Sequence, residues 1–129
     1  MMDEFAEQAG SHRGLNPREI CPLFEKAIRI LGKPWTGLIL YSLLAGSRRF
    51  SEITAHIGPV SDSVVSTRLK ELEREGIVER RIFPETPVRI EYALTAKAAG
   101  LMDIVLAIHR WSEVFDTEED DAEPSVSTT

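Results

Sequence analysis

The residues best suited to chemistry are a run of small hydroxyls and cations, Ser61, Ser63, Ser66, Thr67, Lys70 and Arg74, followed by Arg80, Arg81 and Arg89. Hydroxyls donate and accept hydrogen bonds over a short reach, while lysine and arginine carry charge to anionic oxygens. That set suits contact with the phosphates and base edges of double-stranded DNA. If the stretch from Ser61 to Gly76 is helical, Val65, Leu69 and Leu72 share one side at i, i+4, i+7. Ser63, Thr67, Lys70 and Arg74 then fall opposite, with Ser66 beside them. Ser61, Asp62 and Ser63 stand at the helix N-terminus, where free amides favour a phosphate. Asp62 opposes phosphate but can accept from a cytosine amino group. Glu71, Glu73 and Glu75 crowd the other half, so on the helix alone a solvated polar face is the slightly better reading. The neighbouring arginines weigh toward DNA. Arg80, Arg81 and Arg89 lie on or near a hairpin that could reach a minor groove or flanking phosphates, and Arg48 and Arg49 could clamp the backbone from the other side.

Little else in the chain suggests chemistry. His12, His56 and His109 are scattered without ligand spacing, which argues against a metal site. There is no Gly-x-Ser-x-Gly elbow and no phosphate-cradling glycine loop. Neither an enzyme nor a cofactor is expected. Cys21 is the single cysteine and opens a helix, where exposed amides favour a thiolate. Two readings of it stand open: a thiol sensor of an oxidant or small-molecule effector, or a small apolar residue beneath a dimer helix. No second cysteine can resolve an oxidised Cys21 within one chain.

The elements that must position these residues follow from periodicity and punctuation. Cys21-Pro22 starts a first helix with Phe24, Ala27, Ile28 and Leu31 as one stripe, ended by Gly32. A second opens at Pro34-Trp35 and is apolar most of the way round through Leu44, which predicts the central buried helix. Trp35 reads as a core anchor. Ser51 is expected to cap a short third helix, with Ile53 and Ile57 inward, and Gly58-Pro59 to turn into the fourth, a helix-turn-helix. From Ile77 the period changes to two. Ile77–Ile82 pairs with a strand whose Val88, Ile90, Tyr92 and Leu94 predict its buried face. Thr95 is expected to cap a last helix striped by Leu101, Ile104, Val105, Ile108, Trp111 and Phe115. Met102 and Leu106 widen the stripe, which marks this helix as a partner surface.

The string GKPWTGLILYSLLAGSRRFSEI, the polar helix, and FPETPVRIEYALT together resemble the HxlR family of bacterial winged-helix regulators, relatives of the MarR type. The resemblance covers Cys21 to Trp111. Its most specific motif is the wing, Pro84-Glu85-x-Pro87-x-Arg89-x-Glu91-Tyr92-x-Leu94-Thr95, supported by Arg49-Phe50-Ser51-Glu52-Ile53 and Cys21-Pro22. Pro34, Ala98 and Asp103 depart from the family's usual residues. The resemblance implies a mainly α fold with a small β-hairpin, a winged helix-turn-helix that dimerises through its terminal helices. It also implies a homodimeric transcriptional regulator, and some relatives sense oxidants through a cysteine at the position of Cys21.

Composition bounds the rest. The net charge of -6 is unusual for a DNA-binding chain, but seven acids and no Lys or Arg lie from Trp111 to Thr129, leaving 14 acids against 15 bases elsewhere. Local positive patches are therefore compatible with an acidic total. The acidic end reads as a solvated segment, or alternatively as a DNA mimic competing for the basic surface. No apolar window is long enough to cross a bilayer and the N-terminus lacks a signal-peptide order, so a cytoplasmic protein without membrane association is expected. The expected layout is a flexible arm at 1–19, a winged helix-turn-helix domain at 20–115 and a disordered acidic tail at 116–129. The alternative to a repressor on an inverted-repeat operator is a winged-helix protein-interaction module without sequence-specific DNA binding.

Overall fold

Helix α1 (Pro22–Leu31) begins where a proline's missing N–H has no partner to lose, with Cys21 in extended backbone at its N-cap. The structure, a computed structural model, describes residues 18–121, with side chains as far as Asp116. Most of the expected N-terminal arm (1–17) and the tail beyond 121 lie outside the described residues. Two compact units make up the chain, Met1–Gly37 and Leu38–Thr129, where the sequence suggested one domain over 20–115.

In the first unit, Arg29 and Glu25 pair along α1, and Gly32 N–H closes the helix on the Ile28 carbonyl at 2.7 Å. The apolar stripe is present but uncovered: no residue of α1 is buried, and Phe24 and Ile28 are more than half exposed. Trp35 is not a core residue. It is half-buried in left-handed backbone (φ 72°), in the turn closed by Thr36 N–H on Lys33 O at 3.2 Å.

Helix α2 (Thr36–Leu43) leads into the second unit. Ile39, Leu40 and Leu43 are fully buried, and the buried Ser42 hydroxyl donates to the Ile39 carbonyl at 2.8 Å. One side of this helix, with Leu38 and Tyr41, is exposed, so the expected central helix is buried on its other side alone. Helix α3 (Phe50–Ile57) starts one residue before its expected cap. The Glu52 carboxylate accepts from the Arg49 N–H at 2.7 Å, so Arg49 is the N-cap and Ser51 lies inside the helix. Gly58, at φ 105°, makes the turn into α4 (Asp62–Arg74).

Strands β1 (Val78–Phe83) and β2 (Arg89–Leu94) form an antiparallel ribbon with Val78 opposite Leu94 and Phe83 opposite Arg89. Arg48 and Tyr92 add a bridge on the other edge of β2, through N–H···O bonds of 2.9 and 2.7 Å. The expected inward face of β2 is only half covered: Ile90, Tyr92 and Leu94 are half-buried and Val88 is exposed, whereas Ala93, on the opposite face, is buried. A two-stranded ribbon projecting from a small domain has no layer to cover either face beyond its root. The core is Ile39, Leu40, Leu43, Ile53, Val65, Leu69, Leu72, Val78, Ala93 and Ala98.

Thr95 does not cap the last helix. It opens a single 3-10 turn (Ala96–Ala98), after which α5 runs Leu101–Asp121. The helical backbone thus continues past Phe115 through the first part of the acidic segment, where a disordered tail was expected from 116.

Candidate nucleic-acid interface

Helix α4 carries the largest concentration of predicted contact residues, and local rules hold it at both ends. Ser61 caps the N-terminus, its hydroxyl accepting from the Val64 N–H at 3.2 Å. Val65, Leu69 and Leu72 are buried as predicted, which fixes the rotation of the helix. Ser61, Asp62, Ser63, Thr67, Lys70 and Arg74 are exposed and Ser66 is half-buried. Arg68 pairs with Glu71 at 3.3 Å, which answers part of the acidic charge on the flank.

The C-terminal end closes at Gly76, where the sequence ended the helix, and is held further by Thr95 and by Lys97, which the sequence did not single out. Gly76 takes φ 76°, a conformation side chains rarely adopt, and Ile77 N–H returns to the Leu72 carbonyl at 2.9 Å. The Thr95 hydroxyl lies 2.5 Å from Gly76 O and 3.2 Å from Ile77 O, and Lys97 Nζ donates to Glu75 O at 2.7 Å.

The arginines divide into distinct settings rather than one cluster. By strand alternation, Arg80 shares the apolar face with Ile82, Ile90 and Tyr92, while Arg81 and Arg89 lie on the other with Glu79 and Glu91. Arg80 and Arg81 are exposed, and Arg81 pairs with Glu79 at 3.0 Å. Arg89 is already committed. Its guanidinium lies 3.8 Å from the Phe83 ring centroid and bridges Glu85 and Glu91. Ser47 donates to the far side of Glu91 at 2.7 Å. Arg48 is committed too, since its Nε donates to the Ser42 carbonyl at the end of α2. Each of these two arginines thus meets an acceptor that its backbone position brings within reach. Arg49 is exposed, and its charge helps hold Glu85 and Glu91 ionised. The motif that suggested the wing contained Glu85, Arg89 and Glu91, but not which of them pair.

These pairings have a pH consequence. The Ser47 hydroxyl, then Arg89, hold the Glu91 carboxyl below the usual carboxylate range, and Arg89 does the same for Glu85. A carboxyl lowered on folding stabilises the fold above its unfolded value, and the benefit disappears as pH falls through the folded value. The wing clamp should therefore be intact at neutral pH and release only in acid, below the ordinary glutamate range. An NMR titration following the Arg89 Nε–H and Phe83 ring signals should show that acid transition, and Glu91→Gln should weaken it. A transition at or above the ordinary glutamate range would contradict the assignment.

Along α5, Ile104, Ile108, Trp111 and Phe115 are exposed and Leu101 and Val105 are half-buried. Trp111 and Phe115 meet edge to face at 4.9 Å, and His109 approaches Tyr41 of α2 with ring centroids 6.5 Å apart. Cys21 is an exposed free thiol in the single chain. Among the described residues no group of three or more His, Cys, Asp or Glu is placed to hold a metal, and no helix is long and apolar enough to cross a membrane.

Compared with known proteins, the chain matches over residues 30–120 the family described as HxlR-like helix-turn-helix. It is 54% identical over 98 residues to YvaP, an uncharacterized HTH-type transcriptional regulator of Bacillus subtilis (strain 168), a match covering 76% of this chain and 91% of the relative. Its structure is similar to the reduced form of the B. subtilis transcriptional regulator YodB, with a TM-score of 0.68, 43% identity, and 75% of this chain and 95% of that one covered. The quinone-bound YodB structure from the same organism matches with a TM-score of 0.64 and 38% identity over 73% of this chain and 98% of that one.

Proposed function

Because the chain belongs to the HxlR-like helix-turn-helix family, whose relatives here are HTH-type transcriptional regulators, we propose that this DNA-binding regulator is a cytoplasmic homodimeric repressor acting on an inverted-repeat operator. The observation that carries the proposal is the capped helix α4, with its apolar side buried and its hydroxyl and lysine side open. Two such helices entering successive major grooves stand about 34 Å apart, the spacing of an inverted repeat. Ser63, Ser66, Thr67 and Lys70 face base edges, Ser61 and Arg74 flank them, and Arg49, Arg80 and Arg81 meet phosphates. Repression follows from occupying a promoter. A gel shift at low salt with DNA from upstream of its own gene tests this. A retarded band resisted by random competitor supports it, and no band over a broad protein range favours a protein-interaction module instead.

The exposed Cys21 thiol and the likeness to a quinone-bound regulator support an oxidant or electrophile as effector. With one cysteine per chain, oxidation would join Cys21 to its counterpart in a second protomer or to a small thiol. Diamide is expected to lower operator affinity of the wild type and to leave Cys21→Ser unaffected, read by gel shift. An equal response in both proteins would remove Cys21 from the role.

A further inference from the structure

The C-terminal end of α4 and the segment leading into α5 are tied together more closely than a helix end requires. A helix leaves its last carbonyls without partners, and a cation there also offsets the negative end of the helix dipole. In this chain the carbonyls just past the end of α4 are answered from one direction. Lys97 Nζ lies 2.7 Å from Glu75 O, and Thr95 Oγ1 reaches both Gly76 O and Ile77 O. The Thr95 N–H adds a bond to Ile77 O at 3.0 Å. The aliphatic stem of Lys97 also covers Gly76, its Cδ lying 3.5 Å from where a Cβ would stand. Lys97 sits in the 3-10 turn, and buried Ala98 fixes that turn to the core immediately before α5 begins.

We infer that Lys97 is a positioning residue for operator recognition, a latch that joins the C-terminal end of the recognition helix to the root of the dimer helix. It touches no DNA. Its ammonium holds the Glu75 carbonyl, and through it the tilt of α4, so that Lys70 and the hydroxyl face meet base edges in register. Phosphate contact depends on charge more than on tilt, so binding to random DNA does not need the latch. The inference rests on the DNA-binding reading above, and its test separates the two.

Lys97→Met keeps the stem over Gly76 and removes only the charged donor, so folding is not the variable. Operator affinity should fall roughly five- to thirty-fold, the scale of one lost charge-assisted hydrogen bond. Random-DNA affinity, oligomeric state and the slope of log affinity against log salt should remain at wild-type values, and Lys97→Arg should restore operator binding. Hydrogen exchange without DNA should be faster in Lys97→Met over residues 72–78. A salt slope smaller by about one would mean that Lys97 itself contacts phosphate and would overturn the assignment. Wild-type operator affinity in Lys97→Met would overturn it as well, as would unchanged exchange over 72–78. If the wild type binds no operator, the functional reading fails, while the exchange result still decides whether the latch exists.

Discussion

Ile108→Asp is expected to leave the protein monomeric and to bring operator affinity down to the level of random DNA. Ile104, Ile108, Trp111 and Phe115 form one exposed stripe on α5, with Trp111 63% accessible in the single chain. So large an apolar strip is normally covered by another molecule, and a second α5 is the covering we propose. An aspartate at Ile108 would have to be buried unpaired in that contact, which costs several kcal/mol. Without the dimer each α4 binds alone, and the gain from joining two half-sites is lost. Specific binding typically exceeds non-specific binding by about 10³- to 10⁷-fold, so the loss should be large. Sedimentation and a gel shift on the same samples check both parts. A monomeric variant with full operator affinity would rule out the homodimer.

Lys70→Ala and Arg81→Ala should fail in different ways. Lys70 is exposed on the open side of α4, and a base contact from it is worth about 1–3 kcal/mol of discrimination. Its loss should lower the ratio of operator to random binding while leaving random binding nearly unchanged. Arg81 lies on the exposed ribbon in a surface pair with Glu79, a weak interaction that a phosphate can replace. Arg81→Ala should weaken all sequences alike and reduce the salt slope by about one. Titrations of operator and random DNA at several salt concentrations separate the two patterns. Equal losses on both DNAs for both variants would refute the division.

Much of this architecture could be read before any coordinates, because it depends on local rules. Ser61 with its capping hydroxyl, the Val65–Leu69–Leu72 side, the Gly58-Pro59 turn and Gly76 are signals within one helix length, and each stands as predicted. What could not be read is which of several nearby acceptors a side chain meets once the backbone is folded. Arg48 is held by Ser42 O and Arg89 by the carboxylates of Glu85 and Glu91, neighbours along the chain whose pairing the sequence did not specify. Alternation in β2 correctly predicted a strand, yet a ribbon with no covering layer does not bury what alternation assigns inward. Lys97 carried no signal, since its acceptor is a backbone carbonyl 22 residues earlier. The exposed stripe of α5 was legible as surplus apolar surface, because periodicity reports a face whether or not one chain covers it.

The short bridge between Arg48 and Tyr92 ties the entry of α3 to the outer edge of the wing. That bridge limits independent movement between the entry of α3 and the ribbon. If a few base pairs were inserted between half-sites, neither element could swing independently to follow them. The mismatch would have to be taken up by twisting the duplex or flexing the long terminal helices. In the proposed dimer, tolerance for altered operator spacing would therefore lie in the joint between subunits and in the DNA.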